Sequence, residues 1–367
     1  MKYRLTVVLF ILFGVAGFGQ TDAGIARTTR VGSSTMQKFV FERAEMGSPF
    51  TLTFFGNDSV RAGVAADAVF HLADSLNGIL SDYIDSSEIN QLSACSGSGR
   101  WVRVSPPLWD ILYASMDAAV ASHGAYDVTI GPVVRLWRAA RKTRVMPSSD
   151  SLRSALDRSG YRYMKLDTLQ HAVLLEKAGM RLDIGGLGKG FVAQRALGVL
   201  EAYGFSQAMV NAGGKIVTGA APPGKKGWLI GINAPGEKAE LMPRLLSLER
   251  MSVATSGDIY QYVEIGGKRY SHIVDPRTGV GLTRRRNVTV IAADGTLADW
   301  LATACSILSW RRALRLVRRY PGAALFVTER RKNIIRASAS PNFWNYLNNP
   351  ATAGISAQFS NLPNHHY

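Results

Sequence analysis

The spacing of apolar residues along the chain predicts four helices. One covers residues 64–80, where leucine and valine recur every three or four positions. A second follows Ser105, a residue suited to a helix cap, and ends at Gly124; two prolines stand where its first turn would be. The third spans roughly 189–203, and the fourth is the segment LADWLATACSIL. Helices of this kind bury an apolar face against a core.

Alternation of apolar and polar residues predicts strands between these helices. The segment YQYVEIGGKRYSHIVD is predicted to be a hairpin that turns at Gly266 and Gly267, because a two-residue turn needs positive φ angles. VLLEKAGMRLDI is predicted to be a second hairpin, turning near Ala178 and Gly179, and NVTVIAA a single strand. Strands and helices do not alternate regularly, so the sequence favours an α+β fold with mixed, largely antiparallel sheets and packed helices.

The first 19 residues have the pattern of a secretory signal peptide. Lys2 and Arg4 precede an apolar run from Leu5 to Phe18, and small residues follow. The alternative is a short membrane anchor, but the run is too short to span a bilayer comfortably. We therefore expect an exported protein, in the periplasm or on the outer face of the inner membrane.

The composition is strongly basic, with a formal net charge of +16. Many basic residues lie late in the chain, in TRRRN, WRRALRLVRRY and ERRKN. They form either an ordinary solvated surface or a surface that attracts an anionic membrane or a phosphorylated ligand. An exported chain rarely meets nucleic acid, so we expect no nucleic-acid partner. Only Cys95 and Cys305 are available for a disulfide, and we do not expect them to pair.

Two short segments carry candidate phosphate or metal chemistry. DIGGLGKG, which begins at Asp183, lies between strand-like and helix-like stretches, but it matches neither a P-loop nor a dinucleotide fingerprint. In ADWLAT, Asp299 and Thr303 are four residues apart and share a helix face with Ala302. A carboxylate, a hydroxyl and a backbone carbonyl suit Mg²⁺. The alternative is an ordinary helix carboxylate and hydroxyl.

Two further segments carry candidate polar chemistry. In SHIVDPRTG, His272 and Asp275 bracket a strand end, where the histidine is either a proton-transfer group or a structural residue bonded to the backbone. In GAYDVTIGP, Tyr126 and Asp127 either contact a ligand or form a turn into a strand.

These segments, in this order, resemble the FAD:protein FMN transferase (ApbE) family. The matching blocks span roughly residues 45–305. They are MGS, LSDYIDSSEINQLS, GAYDVTIGPVVRLW, DIGGLGKG, NAGGKI, SGDIYQYVEIGGKRYSHIVDPRTG and VTVIAADGTLADWLATA. The ordered set, with HIVDPRTG intact, makes the resemblance specific.

The resemblance implies an activity and its partners. It implies transfer of FMN from FAD to a threonine of an acceptor flavoprotein, with release of AMP and dependence on Mg²⁺; a membrane-bound acceptor is one option. FAD would lie in a cleft between two lobes. The implied division of the chain is a signal peptide at 1–19, a transferase domain at 20–340 and a C-terminal tail at 341–367. An FAD pyrophosphatase, a non-catalytic FAD carrier and a basic membrane-surface protein are the alternatives.

The resemblance also implies site residues. The positions that would contact FAD are Met46, Tyr83, Ala125, Tyr126, Asp127, Asp183, Lys189 and Ile273. The positions that would bind the metal are Gly186, Asp299, Ala302 and Thr303. His272 matches a histidine at the pyrophosphate, and the general base is either His272 or a carboxylate such as Asp275.

The chain departs from the family pattern at four positions. Gly188 replaces the usual alanine, and Ser93 replaces an asparagine. Trp300 replaces the alanine of the family's DALAT segment and is expected to point away from the metal face. Lys215 replaces an aspartate, which reverses the charge near the site. This lysine either changes the acceptor that is used or adds a phosphate contact.

Overall fold

The structure, a computed structural model, describes residues 27–30, 36–233, 241–257, 261–331 and 334–348. The predicted signal peptide lies outside these residues, as does the predicted tail from residue 349 onward. None of the helices in the described ranges combines the length and apolar character needed to cross a bilayer.

A nine-stranded sheet forms the centre of the fold. In spatial order its strands are β1 (Arg27–Arg30), β2 (Gln37–Glu45), β3 (Ser48–Gly56), β7 (Ala208–Ala212), β8 (Lys215–Thr218), β11 (Ser252–Gly257), β16 (Arg285–Ala292), β17 (Ala324–Arg331) and β18 (Ile334–Ala339). Every ladder between neighbours in this sheet is antiparallel.

The remaining strands of the described residues form four small antiparallel sheets. One contains β4 (Val102–Arg103), β6 (Ala172–Leu175) and β5 (Met164–Asp167); the pairs are β9 (Trp228–Asn233) with β10 (Leu241–Leu248), β12 (Tyr262–Ile265) with β13 (Lys268–Ser271), and β14 (Val274–Asp275) with β15 (Val280–Gly281). The predicted hairpin at Gly266 and Gly267 is confirmed as β12–β13, and both glycines have positive φ. The α+β, largely antiparallel fold is confirmed.

Eight α-helices pack around these sheets in the described part of the chain. They are α1 (Ser59–Leu80), α2 (Glu88–Ala94), α3 (Pro106–Ala121), α4 (Gly131–Thr143), α5 (Ser149–Asp157), α6 (Gly188–Ala202), α7 (Gly295–Ile307) and α8 (Trp310–Val317). The four predicted helices are confirmed as α1, α3, α6 and α7. Helix α1 begins earlier than predicted because the Asp58 side chain accepts a hydrogen bond from the Arg61 amide and caps it.

The predicted hairpin at Ala178 and Gly179 is wrong. Strand β6 pairs with β4 and β5, and the residues after the turn pair elsewhere. The Asp183 amide donates to the Val128 carbonyl, and the Leu182 amide donates to the Ser93 hydroxyl. These long-range bonds draw Asp183 away from β6 and toward the site.

Within the ranges that the structure describes, three clusters of buried side chains hold the fold together. The main core lies between the nine-stranded sheet and helices α1, α6 and α7. A second core joins the sheet to β9, β10 and the 3₁₀ helix Pro341–Tyr346, where Phe343 is fully buried. A third, smaller core joins α4 and α5 to β12 and β14, and the Trp137 indole donates to the Gly279 carbonyl beside it.

Helices α6 and α7 approach each other at Gly190 and Gly295. A Cβ atom at residue 190 would lie 2.0 Å from the Gly295 carbonyl oxygen, and one at residue 295 would lie 2.4 Å from the Gly190 carbonyl oxygen. At this crossing the Gly190 amide donates to the Asp299 carboxylate over 3.0 Å. The contact therefore fixes the position of Asp299.

The two cysteines are free, as expected. Cys305 is fully buried in α7, and burial raises the pKa of its thiol to about 12. Cys95 is half-buried after α2.

Candidate functional site

A cavity of about 820 Å³ lies between the main core and the third core. The walls are formed by the end of α1, the start of α6, one face each of α4 and α7, and the segment after β13. All eight residues expected to contact FAD line it: Met46, Tyr83, Ala125, Tyr126, Asp127, Asp183, Lys189 and Ile273. Segments distant in sequence thus converge on one cavity.

The candidate metal residues also converge, with one exception. Gly186, Asp299 and Thr303 line the cavity, but Ala302 does not. The Ala302 carbonyl accepts a hydrogen bond from the Ser306 hydroxyl at 2.9 Å. Trp300 packs edge-on against Tyr320 and stays outside the cavity, as expected.

Asp299 is the buried carboxylate of helix α7. Its side chain is 1% exposed, and its Oδ2 accepts from the Gly190 amide. The Lys215 ammonium lies 3.3 Å from Oδ1, which no described group reaches with a hydrogen bond. The charge of Oδ1 is thus partly compensated while its lone pairs stay available. A buried carboxylate oxygen that faces a cation but accepts no hydrogen bond is a candidate ligand position.

Two further oxygens lie at the same place. The Thr303 hydroxyl donates to the Gly186 carbonyl over 3.0 Å, which shows that both oxygens belong to one cluster with the Asp299 helix face. The described residues contain no group of three or more histidine, cysteine or acidic side chains able to hold a metal. A single carboxylate with a hydroxyl and a carbonyl is a hard, incomplete oxygen set, which fits Mg²⁺ better than a softer ion.

Two lysines make this end of the cavity positive. Lys189 stands in the first turn of α6, and burial, reinforced by the charge of Lys215, lowers the pKa of its ammonium. Lys215 begins β8, and its Nζ donates to the Thr255 carbonyl over 2.6 Å. Two ammonium groups beside a helix N-terminus form a suitable environment for phosphate oxygens.

His272 lines the cavity while one ring nitrogen is held by the backbone. Its Nδ1 lies 3.0 Å from the Gln261 carbonyl oxygen, and a carbonyl only accepts, so Nδ1 carries the proton. Nε2 is then the basic nitrogen. The backbone therefore orients the ring, as the structural interpretation expected, and the proton-transfer role stays a prediction.

The His272 imidazole is expected to stay neutral well below pH 6. Burial lowers its pKa to about 4, and the positive charges of Arg141, Lys215 and Lys189 act in the same direction. In the unfolded chain the group would instead protonate near its usual value of about 6.5. Between those pH values the unfolded state binds a proton that the folded state does not. His272 therefore lowers the free energy of unfolding as the pH falls through this window.

NMR titration of the histidine Cε1 protons would measure this shift. One resonance, absent from the matched His272→Gln variant, is expected to titrate near pH 4. A midpoint near the usual value of about 6.5 for that resonance would contradict the expected environment of the ring.

Asp275 lies outside the cavity. Its carboxylate accepts two hydrogen bonds from the Arg277 guanidinium, at 2.9 and 2.7 Å, and one from the Arg277 amide. The residue does not line the cavity, whereas Pro276 does. The structure therefore brings His272, and not Asp275, to the other candidate residues.

Asp127 and Asp183 organise the cavity wall. Asp127 accepts bonds from the Thr129 amide, the Thr129 hydroxyl and the Tyr161 amide, so its carboxylate is largely satisfied within the protein. Asp183 accepts from the Gly185 amide and from the Arg138 guanidinium at 2.9 Å. Burial raises the pKa of both carboxyl groups, and Arg138 opposes that rise at Asp183.

Arg138 and Arg141 are cavity residues that the sequence motifs did not indicate. The Arg138 guanidinium lies 4.0 Å from the centre of the Tyr83 ring and pairs with both Asp82 and Asp183. Tyr83 itself is 73% exposed at the rim. The only signal in the sequence is the spacing of arginines three apart on α4, which is also typical of an ordinary solvated face.

The chain matches the model of the ApbE family over residues 46–327. It is 31% identical over 355 residues to the FAD:protein FMN transferase of Treponema pallidum, covering 92% of this chain and 93% of the relative. It is 30% identical over 292 residues to an FAD:protein FMN transferase of Klebsiella pneumoniae, covering 79% of this chain and 89% of the relative. The crystal structure of the ApbE protein of Thermotoga maritima superimposes with a TM-score of 0.76 at 26% identity, covering 84% of this chain and 99% of that one.

Proposed function

The chain belongs to the ApbE family, and from this membership we propose that it transfers FMN from FAD to a threonine hydroxyl of an acceptor protein, with Mg²⁺ as the metal and AMP as the leaving group. The observation that carries the proposal is the cavity itself. It gathers the eight expected FAD contacts, a buried carboxylate with an available oxygen, and two lysines. The relatives are named FAD:protein FMN transferases, which supports transfer of FMN from FAD to a protein.

The charges in the cavity favour one orientation of FAD. The pyrophosphate would lie near Lys189 and Lys215, at the start of α6, because both ammonium groups are there. Tyr83 lies just after α1 and offers an aromatic ring to the cavity, and Met46 lies in the β2–β3 turn and offers a thioether. Both are surfaces that a flavin or adenine ring contacts.

The transfer step is a displacement at phosphorus. The threonine oxygen forms a bond to the phosphorus of the FMN half, the bond from that phosphorus to the bridging oxygen breaks, and AMP leaves with the bonding pair. The hydroxyl proton passes to a base, and His272 Nε2 is the candidate because Nδ1 is held by Gln261 and the ring is neutral at working pH. Mg²⁺ held by Asp299, Thr303 and the Gly186 carbonyl would supply positive charge for the phosphoryl oxygens.

Positioning is the main contribution that the protein makes to such a step. Phosphoryl transfer needs little covalent participation from the enzyme, so binding and charge stabilisation carry most of the rate. A docked threonine hydroxyl gains roughly 7–11 kcal/mol over free water from proximity and orientation. Transfer is therefore favoured over hydrolysis only when the acceptor fills the attack position.

We expect the purified protein to label an acceptor covalently in the presence of FAD and Mg²⁺. The acceptor is a flavoprotein domain that carries a target threonine, and its matched control has valine at that threonine. Denaturing electrophoresis with flavin fluorescence, intact mass and AMP release measure the reaction. Transfer would be supported by flavin fluorescence on the acceptor that has the threonine and none on the valine control, with AMP released in proportion to the label.

Two other outcomes would contradict transfer. AMP and free FMN with several acceptors unlabelled would indicate an FAD pyrophosphatase. Bound FAD without AMP would indicate a non-catalytic carrier.

The reaction is proposed to take place outside the cytoplasm. The support is the charged start and short apolar run of residues 1–19. Intact-mass measurement of the exported protein should find a start near residue 20, and retention of Met1 would count against export by this route.

A further inference from the structure

Lys215 and Asp299 form an ion pair at the base of the cavity. Lys215 Nζ lies 3.3 Å from Asp299 Oδ1. The lysine side chain is 12% exposed and the aspartate side chain 1%, so water screens this pair poorly. The lysine is held at its other side by the Thr255 carbonyl. The ammonium therefore rests beside the one carboxylate in the cluster that has an oxygen without a hydrogen bond.

A divalent cation and this ammonium would need the same oxygen. Asp299 Oδ2 already accepts from the Gly190 amide, so Oδ1 is the atom left for a metal. A metal on Oδ1 would place a divalent charge next to the ammonium, and two cations on one buried carboxylate repel each other. One of them must move.

Lys215 is the group that is able to move. Its side chain is flexible, and the cavity opens beside it, whereas Asp299 is fixed by the α6–α7 crossing. A pyrophosphate in the cavity would offer the ammonium a new partner.

We propose that Lys215 is a tethered cation that competes with the divalent metal for Asp299, and that it transfers to the pyrophosphate when FAD binds. This rests on the proposed function, because it assigns a role to one residue of that same site. The consequence is that the protein without FAD binds the metal weakly. FAD then strengthens metal binding by removing the competitor, and the metal strengthens FAD binding by the same factor.

The matched variants are Lys215→Gln and Lys189→Gln. Glutamine at 215 removes the charge but keeps a donor for the Thr255 carbonyl. Lys189 lines the same cavity and interacts with Asp299 only through its charge, so its variant removes one positive charge but leaves the ion pair between Lys215 and Asp299 in place. Mn²⁺ serves as the metal probe, because it binds the same hard oxygen ligands and its free ion is measured by electron paramagnetic resonance.

Without FAD, Lys215→Gln is expected to bind Mn²⁺ more tightly than the wild type, by about 5-fold to 150-fold. Lys189→Gln should gain much less, and Lys215→Arg, which keeps the charge, should stay close to the wild type. In EDTA, FAD binding followed by flavin fluorescence should be weaker in Lys215→Gln. Asp299→Asn should remove the tight Mn²⁺ site from the wild type and from each of the lysine variants.

Equal Mn²⁺ affinity in Lys215→Gln and the wild type would overturn the proposal, as would an equal gain in Lys189→Gln. Two other results would count against the proposed function instead. One is that Asp299→Asn does not reduce the Mn²⁺ binding of Lys215→Gln, and the other is that the wild type does not bind FAD. Should Lys215→Gln not fold, Lys215→Met provides the same measurements.

Discussion

Replacing Asp299 by asparagine is expected to lower FMN transfer by about 10²–10³-fold or more. The substitution removes the one charged oxygen ligand of the candidate metal cluster and keeps the size of the side chain. The carbonyl oxygen of the introduced amide can still accept from the Gly190 amide, so the α6–α7 crossing is retained. Activity measured with saturating FAD across a Mg²⁺ series, together with circular dichroism, would separate loss of chemistry from loss of fold.

The matched control is Asp294→Asn on the same helix. Asp294 caps α7 by accepting from the Leu297 amide, and asparagine caps helices equally well. Asp294 does not line the cavity, so this variant should transfer FMN like the wild type. If Asp299→Asn also stays within about ten-fold of the wild type, Asp299 does not bind the metal.

Replacing Gly190 by alanine is expected to destabilise the fold by about 3 kcal/mol or more. The new methyl group would meet the Gly295 carbonyl oxygen at 2.0 Å and the Asp299 Cβ at 2.7 Å. Backbone atoms cannot rotate away as a side chain can, so α6 and α7 must separate and displace Asp299. Chemical denaturation measures the free energy of unfolding, and Mn²⁺ binding by the folded fraction reports the carboxylate.

Gly198→Ala is the control for this substitution. Gly198 lies on the exposed face of the same helix, and a Cβ there would meet nothing within 4 Å. Alanine is the better helix former, so this variant should gain about 0.5–1 kcal/mol of stability. Equal stability for the two variants would show that the helices do not cross as described.

The helices that the sequence predicted are those whose signal is local. Helices α1 and α6 show their apolar spacing within their own residues, so periodicity alone located them. The wrong hairpin at Ala178 and Gly179 had a suitable turn, and Gly179 does have a positive φ. The residues after the turn do not pair with β6, because Leu182 bonds to Ser93 and Asp183 bonds to Val128. These partners are distant in sequence, so no local pattern indicates them.

The candidate site shows the same division. Motifs located Asp299, Lys189 and His272, because each lies in a segment of recognisable composition. The proximity of Lys215 to Asp299 depends on the packing of β8 and α7, and the sequence alone showed only that the local charge was reversed. Arg138 was missed because an arginine on a polar helix face has no distinguishing pattern until the fold places it beside Asp183.

The two walls of the cavity belong to separate clusters of buried side chains. Asp299 and Lys189 stand on helices of the main core, whereas α4 and the β12–β13 and β14–β15 hairpins are held by the third core. Substitutions in structurally independent parts of a protein have nearly additive effects on stability. Sequence change in the third core is therefore expected to leave the packing of α6 against α7 largely intact, except where Arg138 of α4 pairs with Asp82 and Asp183. Gly190 and Gly295 tolerate no such change, because a side chain at either position would push apart the helices that carry Lys189 and Asp299.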